Sequence, residues 1–115
     1  MYFELIKDLA GCEYYGDIPE VDADDPTKAE TYVFGWEDML LIVDDFSGPI
    51  NALCGTLFDL GDVDWFDAEK CVTLRGWLRG RLGGDLAPRA RELYTVLLDY
   101  ANRAIDLGTG VVVDL

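Results

Sequence analysis

An α+β fold, in which a small, mostly antiparallel sheet packs against three helices, is what this sequence predicts. Three observations carry that expectation. β-Prone segments stand at the two ends of the 115-residue chain; two apolar segments split by Gly35-Trp36-Glu37-Asp38 stand near its middle; and three stretches with helical spacing are bounded by serine, aspartate, proline or glycine. A chain of this length removes roughly two thirds of its unfolded surface from water around one core. Half its residues are hydrophobic and 12% are aromatic, a composition that disordered chains lack. The expectation is one domain over residues 1–115, with the acidic loop 11–30 as an insertion between strands.

Residues 2–9 alternate partly between apolar and polar side chains and read as the N-terminal strand. "GCEYYGDIPEVDADDPTKAE" carries Gly11, Gly16, Pro19 and Pro26 among its acids, which is loop chemistry, with Tyr14 and Tyr15 expected to anchor it. Thr31–Phe34 and Met39–Val43 read as a central antiparallel hairpin across a four-residue loop. The second of these, "LLIVDD", reads as a buried strand with Asp44 and Asp45 at its exit.

Ser47 followed by Pro49 reads as a helix start, with Ile50, Leu53, Cys54, Leu57 and Phe58 at helical spacing and an end near Gly61. Asp67 is placed to cap a second helix, whose apolar face is Ala68, Cys71, Leu74, Leu78 and Leu82 and which stops at Gly83. Pro88 opens the third, with Leu93, Tyr94, Leu97, Ala101, Ala104 and Ile105 in one stripe ahead of Gly108. The last segment, "VVVDL", reads as the C-terminal strand.

Charge is the most informative global property. The net charge is −14, and it is unevenly placed: residues 1–67 hold 17 acids against Lys7 and Lys28, while residues 68–115 hold 6 acids against 7 bases. Acids act together only within about a Debye length, roughly 8 Å at physiological salt. Three runs satisfy the proximity requirement in sequence. They are Glu20, Asp22, Asp24 and Asp25; Glu37, Asp38, Asp44 and Asp45; and Asp59, Asp62, Asp64 and Asp67. Trp36 and Trp65, each placed among acids in an expected loop, have the composition of aromatic anchors for a cationic partner.

Several chemistries are disfavoured. With no histidine, imidazole-based triads and His-bearing zinc sites are out of reach. "LLIVDD" resembles the first strand of a receiver domain, whose acidic pair helps hold magnesium, but only about 70 residues follow and they read as three helices and a strand. "DADDPTKAE" and "DVDWFD" have D-x-D spacing without the glycine and glutamate of an EF-hand. The glycines of "RGWLRGRLGGD" lack the preceding strand and G-K-[ST] of a P-loop and fit close helix packing through Gly76 and Gly80, with Arg75, Arg79 and Arg81 beside the acidic half. Direct nucleic-acid binding would need a basic surface that this charge opposes.

The N-terminus has an acid at its fourth position and no basic lead, and no apolar run approaches the roughly 18 residues of a membrane span. Cys12, Cys54 and Cys71 are odd in number, without a C-x-x-C pair, and read as reduced. The expected location is the cytoplasm, without membrane attachment.

The function expected from these features is that of a small acidic inhibitor that binds and blocks a basic, nucleic-acid-binding surface of a partner protein, a nuclease or a nucleic-acid-guided effector. In size and charge, though in no motif, the chain resembles immunity proteins, antitoxins, anti-CRISPR proteins and other DNA mimics of bacteria and phages. The resemblance implies carboxylates standing where phosphates would stand, without cofactor or catalysis.

The expected contact residues are Asp22, Asp24, Asp25, Trp36, Glu37, Asp38, Asp44, Asp45, Asp62, Asp64, Trp65 and Asp67. An alternative is a non-inhibitory assembly subunit, a homodimer paired through an unprotected "VVVDL" edge. A carboxylate-based divalent-cation site or enzyme ranks below both. The inhibitor reading requires the acids to converge on one patch without being neutralised by arginines of the later helices.

Overall fold

The computed structural model describes residues 1–56 and 63–115, and the fold is α+β as expected. Its strands are β1 (Tyr2–Ile6), β2 (Glu13–Tyr15), β3 (Ile18–Glu20), β4 (Ala29–Val33), β5 (Val63–Asp67) and β6 (Gly110–Asp114). The helices are α1 (Trp36–Cys54), α2 (Ala68–Leu82) and α3 (Pro88–Leu107). Four strands form one antiparallel sheet in the order β4-β1-β6-β5, and β2 pairs with β3 in a separate two-stranded sheet.

Alternation along the strands divides the large sheet into two faces. Phe3 and Leu5 of β1, Val111 and Val113 of β6 and Phe66 of β5 join the main core, whose other wall is Met39, Ile42, Phe46 and Ile50 of α1, Cys71, Leu74 and Leu78 of α2, and Leu93, Tyr94 and Leu97 of α3. Phe46 is the hub of that wall. Its ring lies 5.6 Å from Trp77, 6.3 Å from Tyr94 and 6.5 Å from Phe66, joining all three helical and sheet layers. The opposite face presents Tyr2, Glu4 and Val112, over which residues of the β2–β3 hairpin lie.

The second and third helices form where their local signals place them. Asp67 Oδ1 accepts the Lys70 backbone N–H at 2.8 Å, capping α2, and Pro88 opens α3 at a position whose N–H has no helical acceptor. Gly83 and Gly108 follow their last turns.

The middle of the chain departs from expectation. "LLIVDD" lies inside a 19-residue helix, so there is no central hairpin; Gly35 is the N-cap and Trp36 the first residue of α1. Met39, Ile42, Val43, Phe46 and Ile50 are buried at helical spacing, while the exposed Leu40 and Leu41 give the segment its look of a two-sided apolar strand. Pro49 stands within this helix rather than near its start. Gly48 ahead of it has no Cβ to clash with the proline ring, which lessens the usual restriction on helical backbone at that position. Ser47 does not cap; its buried hydroxyl has no hydrogen-bond partner among the described residues. The helix ends at Cys54, and Leu57, Phe58 and Gly61 lie outside the described residues.

Two further corrections concern strands. "DVDWFD", expected as a loop, supplies β5, and its partner β6 is an interior strand flanked by β1 and β5. "VVVDL" is therefore not an unprotected edge, and the basis for a homodimer through it is lost. Trp65 lies over Gly110, where a Cβ would overlap both the indole ring and the Phe66 carbonyl, so only glycine permits this approach. On α2, Gly76 and Gly80 face open space rather than a packed helix, contrary to the close-packing expectation. Among the described residues no helix is long and apolar enough to cross a membrane.

Candidate partner-binding surface

The acids of the first part of the chain fall into two populations. One is tied to the arginines of the later helices. Arg103 grips Glu30 with both terminal nitrogens, at 2.8 and 3.1 Å. Arg89 Nη2 donates to Asp38 at 2.9 Å while its Nη1 reaches the Tyr32 hydroxyl and Glu92 at 2.8 and 3.0 Å. Arg81 Nε meets Asp45 Oδ2 at 3.0 Å, and the buried Tyr94 hydroxyl donates to the same oxygen at 2.7 Å.

These pairs set the local titration. The Arg103 hydrogen bonds hold Glu30 below the usual carboxylate range, and Arg89 does the same for Asp38. Burial, reinforced by Asp45, pushes the Tyr94 phenol upward. Asp38 and Asp45, expected as partner-binding residues, are thus structural ties. Helical spacing puts both on the side of α1 that faces α2 and α3, an orientation the strand reading could not give.

The other population has no arginine tie among the described residues. Between Lys7 and Lys28 the chain carries seven acids and no base, and most of them lie on or beside the β2–β3 hairpin. Tyr15 and Ile18 are its closing pair, and Gly16 with φ +62° followed by Asp17 with negative φ makes a two-residue turn of type II′ character. In the hairpin, Glu13 stands directly opposite Glu20. Like charges in that register repel. Glu13, Glu20, Asp22 and Asp25 line one groove of about 460 Å³ with Lys28, whose ammonium is engaged by Asp8 at 2.8 Å. Asp8 is held below its ordinary range chiefly by that Lys28 hydrogen bond.

Asp22 and Asp25 also shape the loop. Asp22 Oδ1 accepts the Asp24 N–H at 3.0 Å, and Asp25 Oδ1 accepts both the N–H and hydroxyl of Thr27, which lowers its titration range. Asp24 is exposed. Tyr14 and Tyr15, expected to anchor the loop, are instead 59% and 76% exposed beside these acids. The hairpin was legible in "YYGDIP", because glycine-aspartate between two β-prone pairs is a two-residue turn signal.

A second exposed patch lies on α1. Trp36, Glu37, Leu40, Leu41 and Asp44 are all exposed, and helical spacing places them on one face. The expected residues Trp36, Glu37 and Asp44 are thereby brought together, with Leu40 and Leu41 as unforeseen apolar neighbours. The third acidic run does not join them as an unengaged cluster. Asp62 and Asp59 lie outside the described residues, Asp64 is half-buried and accepts the Trp65 N–H at 2.8 Å, and Asp67 is the α2 cap. Trp65 is half-buried on β5 rather than displayed in a loop.

Among the described residues no three metal-ligating side chains converge. Burial pushes the Cys71 thiol up to about 12 and raises Cys54 as well, which makes both poor nucleophiles at neutral pH. Arg75 and Arg79 have no ion pair among the described residues, whereas Arg81 does lie beside the acidic half. No protein-family model, curated protein or solved structure matches the chain.

Proposed function

We propose that this protein is a small binding protein that engages a basic, nucleic-acid-binding surface of another protein and occludes it, without a catalytic step of its own. The observation that carries the reading is the concentration of unneutralised carboxylates on the hairpin and the loop after it, with Glu13 and Glu20 facing each other and two exposed tyrosines alongside. A cationic partner would relieve that repulsion and gain aromatic contact from the same surface. The contact therefore centres on Glu13, Asp17, Glu20, Asp22 and Asp24, with Glu37 and Asp44 as a second acidic element. A nuclease or a nucleic-acid-guided effector has the required surface, and the setting fits immunity or counter-defence proteins of bacteria and phages, acting in the cytoplasm.

The test begins with capture of the native partner at low salt, followed by rate measurements on the purified pair. The expected partner binds nucleic acid, and its nucleic acid competes with this protein. Glu13→Lys, Asp17→Lys, Glu20→Lys, Asp22→Lys and Asp24→Lys together should slow association by about 10- to 100-fold at low salt, with a smaller effect at high salt. Glu69→Lys and Asp106→Lys, at exposed positions of α2 and α3, serve as the control. Equal rates for the hairpin variant and the wild type would overturn the reading.

A second reading, an assembly subunit without inhibitory action, is favoured by Trp36, Leu40 and Leu41, which leave an apolar strip of α1 exposed at 52%, 53% and 47%. Its signature is a complex lost with Leu40→Glu and Leu41→Glu and insensitive to salt.

A further inference from the structure

The outer face of the sheet and the hairpin above it do not close on one another. Between them lies a cleft of about 540 Å³, within the size range of small-ligand sites. Its sheet side is built by β1, β5 and β6, and its upper side by β3 and the residue after it. We propose that this cleft receives an alkylammonium group on an apolar stem, the lysine side chain of a basic protein partner. The inference rests on the partner reading above and names the chemistry by which one part of that surface is read.

The walls provide the apolar part. Val63 and Val112 line the sheet side, and Ile18, Pro19 and Val21 the hairpin side, so a hydrocarbon stem loses water on both flanks. Tyr2 and the 76% exposed Tyr15 add aromatic surface, the arrangement that attracts a cation through the ring quadrupole.

The charged part is Glu4. Strand alternation places it on the same face as Tyr2, half-buried, with Val112 opposite it on β6 and Thr31 opposite it on β4. Thr31 Oγ1 donates to Oε2 at 3.2 Å, the carboxylate's one hydrogen bond among the described residues. With Oε2 already accepting from Thr31, Oε1 is the less engaged of the two oxygens and the natural first contact for a guest. Two unequally engaged oxygens are a poorer match for the planar, two-pronged fork of a guanidinium than for an ammonium, whose three rotatable donors can meet Glu4 and Glu20 from one position.

No lysine or arginine is among the described residues that line the cleft, although Glu20 lines it too and Asp114 stands opposite Tyr2. Burial accordingly holds Glu4 above its usual range, with only the Thr31 hydrogen bond opposing, and Tyr2 is raised by burial first and then by Asp114, Glu4 and Glu20. The cleft is a negative space with apolar walls, in which an entering ammonium meets Glu4 and Glu20, with Asp114 beside Tyr2 adding to the local negative charge.

The experiment uses the intact protein, labelled for amide NMR, and the probe Nα-acetyl-lysine methylamide. Saturable shifts at Tyr2, Glu4 and Val112, on the order of millimolar affinity, are expected. The norleucine analogue, with the same stem and no ammonium, should bind at least ten-fold more weakly, as should the probe to Glu4→Gln, whose amide oxygen can still accept from Thr31. Tyr15→Ala, at an exposed position, should weaken it several-fold. Because the probe favours the ionised carboxylate, it should lower the titration midpoint of Glu4.

Shifts confined to Asp22–Asp25, or probe binding unaltered in Glu4→Gln, would overturn the inference, and so would putrescine binding ten-fold more tightly than the lysine probe. If the purified partner binds Glu4→Gln at the wild-type affinity, the cleft inference fails and the partner reading stands. If the lysine probe behaves as expected while the hairpin reversal leaves association unchanged, the hairpin-centred partner reading fails and the cleft remains an amine site.

Discussion

The side of the molecule where the helices meet and the side where the hairpin covers the sheet carry the same kind of residue in opposite circumstances. On the helical side, Glu30, Asp38 and Asp45 each meet an arginine from α2 or α3 within 3.1 Å. On the hairpin side, Glu13 meets Glu20, and Glu4 stands half-buried with only a threonine hydroxyl. Carboxylates on the first side join elements of the fold together. On the second, Glu13 and Glu20 face one another across the hairpin and repel. The comparison teaches that net charge is a poor guide to a binding surface until the internally matched charges have been removed from the count.

The largest expected effect comes from undoing the helical side. Phe46→Ala leaves a cavity among Phe66, Trp77 and Tyr94 and should cost about 3–5 kcal/mol, measured by urea unfolding. A loss under 1 kcal/mol would show that α1 is not locked to the helical layer as described.

Next is the contrast within the "DD" pair. Asp45→Ala leaves the buried Tyr94 hydroxyl without its charged acceptor and should cost about 1.5–3 kcal/mol, whereas Asp44→Ala, at an exposed position, should stay within about 0.5 kcal/mol. Equal effects at the two positions would erase the proposed division of the acids.

On the hairpin, Glu13→Lys turns a repulsive cross-strand pair into an attractive one. It should raise stability by about 0.2–1 kcal/mol while slowing association with the proposed cationic partner. A variant that loses stability would mean that the two glutamates do not oppose each other in solution.

The smallest effects are in the pH profile, and the two sides have opposite signs. Glu30 titrates below its unfolded value, so its contribution is fully present above the ordinary glutamate range and is lost as pH falls through the lower folded value. Glu4 titrates above its unfolded value. Its contribution is present below the ordinary range and lost as pH rises through the raised folded value. Thermal melts from pH 3 to 7 should therefore show a shallower acid loss in Arg103→Ala and a gain at neutral pH in Glu4→Gln. A Glu4→Gln variant less stable at pH 7 than the wild type would contradict the half-buried, unpaired carboxylate.

Much of the fold could be read before any coordinates. β1, α2, α3 and β6 are announced by residues next to them in the chain: alternating apolar positions, Asp67, Pro88 and Gly108. The first helix could not be read so simply, because Leu40 and Leu41 fill positions that a solvent-facing helical side normally gives to polar residues, and Gly48-Pro49 imitates a boundary. Those same two leucines belong to the exposed strip of α1. The rule they break is the one that a surface reserved for another molecule would break. Tyr14 and Tyr15 were misplaced for a related reason: Gly16-Asp17 is a hairpin turn signal, but aromatic residues are ordinarily buried and nothing local states that this hairpin displays them to solvent.

The sequence by itself determined that the chain is acidic in its first 67 residues, α+β, and supplied with hairpin, cap and stop signals, because each of these depends on composition or on residues a few positions apart. Only the tertiary structure decided which carboxylates are matched. Asp45 and Arg81 are 36 residues apart, Asp38 and Arg89 are 51 apart, and Glu30 and Arg103 are 73 apart. Electrostatic energy falls with separation in space and is blind to separation along the chain, so the placement of α2 and α3 against α1 and β4 neutralises these acids and leaves the hairpin anionic.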